Sequence, residues 1–346
     1  MATKQGVASM IAVALLVAAI PTVTDRDDDD VYTGVQSIGV CYGVHGDRLP
    51  SAAEVVQMYR SNGLDSMRIY FADSNALKAL SGTNINLIMD VDNRNLASFA
   101  RDRNAVDGWV RDNIKAFPGV NFRYITVGNE VEGSDTQFIL PAMKNINAAL
   151  AAAGLSHIKA STAVHSGVTE GFPPSEGTFN SKAATYMAPV ARYLATTGAP
   201  LLANIYPYFS FLGNTDQIDI EYALFTSPGT VVEDGDNEYQ NLFDALVDTM
   251  YSALEDAGAG SVRIVVSESG WPSAGGDKVN AATAANAQTY NQNLIRHVGQ
   301  GTPKRPGAIE TYIFAMFNEN QKGGAPTEKH FGLFNPDKSP AYQISF

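Results

Sequence analysis

From Ile38 onward the chain alternates short apolar runs with helical patterns, and this rhythm limits the possible folds more than any other feature. Eight runs read as strands: residues 38–43, 66–72, 85–91, 122–131, 158–164, 201–208, 263–269 and 309–317. Their β-branched and aromatic content suits a sheet interior. Between them lie amphipathic stretches. Leu242, Phe243, Leu246, Val247, Met250 and Leu254 recur at helical spacing, with Gly258 as a stop, and residues 136–154 repeat the pattern up to Gly154. Strand–helix alternation implies a parallel sheet with right-handed crossovers. Eight repeats within residues 38–346 predict a single α/β domain, a (β/α)8 TIM barrel. An open doubly wound sheet would be helped by a glycine-rich phosphate or dinucleotide loop, and neither GxGxxG nor GxxxxGK[ST] occurs.

The first 37 residues stand apart. Lys4 precedes the apolar run Met10–Ile20, which fits the n- and h-regions of a secretory signal and is too short to span a membrane. The acidic stretch 24–30 follows and reads as a solvated leader. Removing residues 1–37 takes away five Asp, one Lys and one Arg, and changes the net charge from −12 to −9. That acidity argues against nucleic acid or an anionic membrane surface as a partner, and it is compatible with a neutral substrate. Cys41 is the only cysteine, so neither an intramolecular disulfide nor a thiolate metal cluster can form. The five histidines show no ligand spacing, and no metal or other cofactor is expected.

Two strands end in carboxylates. "YITVGNEV" closes the fourth strand on Asn129 and Glu130, and "RIVVSESGW" places Glu268 at the end of the seventh. One such glutamate alone could be an exposed loop residue or half of a salt bridge. Two in the same structural situation are different, because the C-terminal strand ends of a barrel form its active-site mouth. Facing carboxylates suit glycosidic cleavage: one protonates the leaving oxygen, and the other attacks the anomeric carbon or activates water. Asn129 could hydrogen-bond a sugar hydroxyl, and Trp271 could offer an apolar face to a sugar ring; either could equally be packing. Gly39-x-Cys41-x-Gly43 has the outline of a nucleophile elbow, but it lies on the first strand, where a buried structural cysteine is the simpler reading.

The segments "IGVCYG", "MRIYFAD", "VGNEV", "LLANIYPYF", "VVSESGWPSAGG", "ETYIFAMFNENQK" and "FGLFNPDKSPAY" closely resemble plant β-1,3-glucanases of glycoside hydrolase family seventeen, in family order from Ile38 to Phe346. The resemblance implies a retaining barrel enzyme with Glu130 as acid/base and Glu268 as nucleophile. It further implies cleft positions for Tyr42, Asn129, Tyr206, Glu310, Glu319 and Lys322, with Phe209, Phe317 and Trp271 lining the groove. Glu319 and Lys322 would support sugar binding and charge balance around Glu268, or else brace the final loop as an i,i+3 pair. The chain departs from the family pattern in its acidic leader and in the acidic segment 229–241.

The implied reaction is endo-hydrolysis of β-1,3-glucan. The alternatives are cleavage of mixed β-1,3;1,4-glucan and a non-catalytic glucan-binding wall protein. The implied setting is a monomer without a membrane anchor, secreted to the cell wall space rather than held in a vacuole.

Overall fold

A computed structural model describes residues 38–346. The expected secretory segment and acidic leader lie outside the described residues. All eight expected strands form: β1 (Ile38–Cys41), β2 (Ser66–Ile69), β3 (Asn86–Val91), β4 (Asn121–Asn129), β5 (Lys159–His165), β6 (Leu201–Asn204), β7 (Ile264–Ser269) and β8 (Thr311–Ile313). They pair in parallel in chain order, and β8 returns to β1 to close the barrel. Helices cross over between successive strands. The helix Leu242–Asp256 begins at the N-cap Asn241, whose side chain accepts from the Asp244 N–H at 2.8 Å. The helix Ile139–Ala152 covers the second expected helical run. Gly154 and Gly258, at φ of +75° and +76°, supply the left-handed conformation that ends each run.

Several strands are shorter than the apolar runs suggested. β6 stops at Asn204 because Pro207 opens the helix Pro207–Gly213, where its fixed φ and missing N–H are tolerated. β8 keeps three residues of its nine-residue run. Pairing breaks register at the two places that matter most for the mouth. On β4 the register with β5 shifts between Thr126 and Asn129, and on β7 the register with β6 shifts between Val266 and Glu268. Such bulges turn the strand and re-aim the side chains that follow.

The acidic segment 229–241 folds into a hairpin, Val232–Asp234 against Asn237–Tyr239. A second hairpin, Thr169–Glu170 against Thr178–Phe179, follows β5. Asp234 joins the two by accepting from the Ser175 N–H at 2.7 Å and its hydroxyl at 2.6 Å. Among the described residues no helix is long and apolar enough to cross a membrane.

Candidate active site

The bulges on β4 and β7 carry Glu130 and Glu268 into one cleft at the C-terminal mouth. Glu130 sits just past β4 with φ +50°, a left-handed backbone uncommon for a residue with a Cβ; its N–H donates to the Ala163 carbonyl at 2.9 Å. Such conformations persist where surrounding structure fixes them, and they cluster at functional sites.

Glu268 is buried, and three donors converge on it. Arg68 Nη1 reaches Oε1 at 3.0 Å, the Tyr70 hydroxyl donates to Oε1 at 2.8 Å, and the Tyr206 hydroxyl donates to Oε2 at 2.8 Å. An ionised carboxylate is an acceptor only, so this surround fits the anion and fixes both oxygens. Arg68 is itself fully buried inside β2. Its guanidinium pairs with Asp90 of β3 at 2.8 Å and donates to the Asn129 and Asn204 side-chain oxygens at 3.0 and 3.1 Å. A buried cation needs this degree of pairing. Asn204 then passes the order on, donating to Glu130 Oε1 at 2.9 Å. The two glutamates are thus tied through Asn204 and Arg68.

Glu130 differs from Glu268 in kind. Its carboxyl is solvent-accessible yet set into the concave cleft. Loss of hydration there raises its pKa, and the nearby Glu268 charge adds to the effect; the Asn204 hydrogen bond and the neighbouring His165 and Arg68 oppose it. A carboxyl biased toward its protonated form beside an acceptor-only carboxylate is the arrangement that acid-assisted displacement requires.

The cleft opens on both sides of the pair. One hollow is lined by Tyr42, Val44, His45, Tyr70, Phe71 and Asp73, the other by Glu132, His165, Tyr206, Phe209, Ser210 and Phe331; both include Glu130, Glu268, Phe314, Lys322 and Glu328. The carboxylates therefore stand midway along a groove rather than at the end of a closed pocket. This geometry admits an internal segment of a chain.

Of the expected site residues, Tyr42, Asn129, Tyr206, Phe209, Glu319 and Lys322 line this groove. The Glu319 and Lys322 side chains do not pair, although the Lys322 N–H donates to the Glu319 carbonyl at 3.0 Å. Glu319 Oε1 accepts from the His45 N–H at 2.8 Å, whereas Lys322 pairs with Glu328 at 3.1 Å and lies 4.1 Å from the Phe314 ring centre. Gly43 makes room for Glu319, since a Cβ there would come within 2.4 Å of its oxygens.

Three expectations are corrected. Trp271 is fully buried, with its indole N–H bonded to the Ala281 carbonyl at 2.9 Å and its ring packed among Tyr208, Phe211 and Tyr290, so it offers no face to a sugar. Phe317 is also buried and packs its ring edge-to-face with Tyr42, acting behind the groove. Glu310 precedes β8 and is bound by Arg123 at 3.0 Å, with Tyr124 and Tyr312 also donating to it. Arg123 and Tyr124 lie near the start of β4, about 20 Å of extended strand from Glu130, so Glu310 braces the opposite end of the barrel.

Arg68, Tyr70, Asp90, Asn204 and Glu328 were not singled out from the sequence. A signal existed for two of them: an arginine inside one apolar strand and an aspartate inside the next, "MRIY" and "LIMDV", are each costly to bury alone.

Residues 38–346 match the model of Glycosyl hydrolases family 17. The chain is 67% identical over 346 residues, 99% of each chain, to the acidic isoform of glucan endo-1,3-beta-glucosidase from Zea mays. It is 56% identical to glucan endo-1,3-beta-glucosidase GII from Hordeum vulgare, over 99% of each chain. Among solved structures it superposes with a TM-score of 0.87 on one of two plant beta-glucan endohydrolases described as having distinct substrate specificities. The identity there is 52%, covering 89% of this chain and 100% of that one.

Proposed function

The chain belongs to glycosyl hydrolase family 17, and from that premise we propose that it is an endo-β-1,3-glucanase that retains anomeric configuration, with Glu130 as acid/base and Glu268 as nucleophile. The observation that carries the residue roles is the contrast between the two carboxylates: Glu268 held by three donors, Glu130 biased toward its proton in the same open groove.

In the first step a Glu268 oxygen forms a bond to the anomeric carbon as the bond to the bridging oxygen breaks. Glu130 gives its proton to that departing oxygen. In the second step water attacks the same carbon, Glu130 takes the water's proton, and Glu268 leaves as a carboxylate. Two inversions at one carbon preserve its configuration. Tyr70, Tyr206 and Arg68 hold Glu268 in line for both steps, and the groove's two open arms hold the chain on either side of the cleaved bond. Phe209 and Tyr42 supply apolar surface to sugar rings, and Asn129 supplies polar contact. The basic-then-apolar start of the chain supports secretion to the cell wall space, where a monomer would meet its polymer.

The test is product analysis on laminarin and on barley mixed-linkage glucan. Short β-1,3-linked oligosaccharides from laminarin, with little release from the mixed polymer, are expected. The reverse preference would keep the mechanism and reassign the substrate. No product from either, with a folded sample, would leave a glucan-binding protein.

A further inference from the structure

The groove holds an aromatic side chain that neither the mechanism nor the expected site residues use. Phe71 directly follows Tyr70, lines the arm on the Tyr42 side, and is 39% exposed. Single exposed aromatics are ordinary on protein surfaces. Two observations set this one apart. The ring lies in the lining of the reacting cleft, and its place is matched across the carboxylate pair by Phe209, 45% exposed, on the other arm.

The backbone under Phe71 is braced. Its carbonyl accepts from the Asp73 N–H at 2.9 Å, and the Asp73 carboxylate caps the helix Ser74–Leu80 through the Asn75 N–H at 2.8 Å. The ring is therefore presented from a fixed turn. A half-exposed phenylalanine forgoes part of the stabilisation that full burial gives, so core packing does not account for its placement.

Resting on the hydrolase reading, we infer that Phe71 is a sugar platform that sets chain-length preference on its arm of the groove. A glucosyl unit removed from the cleaved bond lays its apolar C–H face on the ring. His45 and Asp73, in the same lining, offer polar partners for its hydroxyls. The residue touches substrate but no reacting atom.

The experiment compares wild type, Phe71→Ala and Phe71→Trp on laminari-oligosaccharides from triose to heptaose, with kcat and KM resolved for each length. Phe71→Ala should leave the shortest substrates unchanged and lower kcat/KM about five- to tenfold once the chain reaches the platform, chiefly through KM. Phe71→Trp should restore the longer substrates. Unchanged kinetics on the short substrates also show that the variant is folded. Equal loss at every length, or no loss at any, overturns the inference while leaving the hydrolase reading intact. Absence of hydrolysis by the wild type would instead remove the reading on which it rests.

Discussion

The proposed mechanism asks the Glu130 carboxyl to hold a proton beside an anion. Loss of hydration in the cleft and the Glu268 charge both raise its pKa. In the proposed mechanism the working form is the acid, so activity is expected while Glu130 is protonated and should fall as pH rises through that raised value. The alkaline limb of kcat/KM should therefore lie above the ordinary glutamate value of about 4.3. Glu268→Gln removes the charge but keeps the shape. Carbon-13 NMR titration of the Glu130 carboxyl should then show its pKa moving down, with hydrolysis abolished and oligosaccharide binding retained. An unmoved titration would mean that the two carboxylates do not sense each other. Arg68 permits a second prediction. Arg68→Lys keeps one charge but loses the fork that reaches Asp90, Asn129, Asn204 and Glu268 together. It should lower kcat by about 10²–10³, with a smaller change in KM, measured by steady-state kinetics. A KM effect alone would make Arg68 part of the scaffold only. The sequence made the glutamates legible because each ends an apolar run, whereas Trp271, three residues past Glu268, was misread. Its neighbourhood in sequence gives no direction in space, and the chain turns the indole inward onto Tyr208, Phe211 and Tyr290.

Elements show the same division between what pattern reveals and what geometry adds. The apolar runs announced eight strands, yet nothing in them announced the bulges that aim Glu130 and Glu268, because a bulge is a mismatch between two strands rather than a property of one. The acidic segment 229–241 gave no alternation strong enough to read as a hairpin. Its anchor is Asp248 on the helix Leu242–Asp256, fully buried, which accepts from Tyr239 of the hairpin at 3.0 Å, from the Lys304 N–H at 3.0 Å and from the Thr302 hydroxyl. Burial pushes its carboxyl up to about 6. Below about 3.9, the unfolded value, both states hold the proton. As pH rises the unfolded chain releases it first, so stability is fully present in acid and is lost up to about pH 6, by about 3 kcal/mol. Urea unfolding of wild type and Asp248→Asn from about pH 4 to about pH 6 should show this loss in wild type and its absence in the variant. A stability difference between the two proteins that stays constant over the window would contradict the assignment.

Over the whole molecule, barrel closure brings together groups that are remote in sequence: Arg68 and Glu268 are 200 residues apart and meet at 3.0 Å. No local pattern could pair them, although the order of eight strands fixed that β2 and β7 share one mouth. The same scale governs charge. The chain carries −12, or −9 from Ile38 onward, while the Glu130–Glu268 pair is tied into a largely buried network. A neutral glucan has no charge for the surface field to attract or repel. Raising sodium chloride from about 0.1 to about 1 M shrinks the screening length from about 10 to about 3 Å. This should leave KM for laminarin within about twofold and kcat nearly unchanged, because the contacts that hold Glu268 are shorter than either length. A steep salt dependence of KM for this neutral polymer would instead show that exposed charges of the protein shape the groove. A salt-dependent kcat with constant KM would instead place the controlling charges on the surface rather than in the Arg68 network.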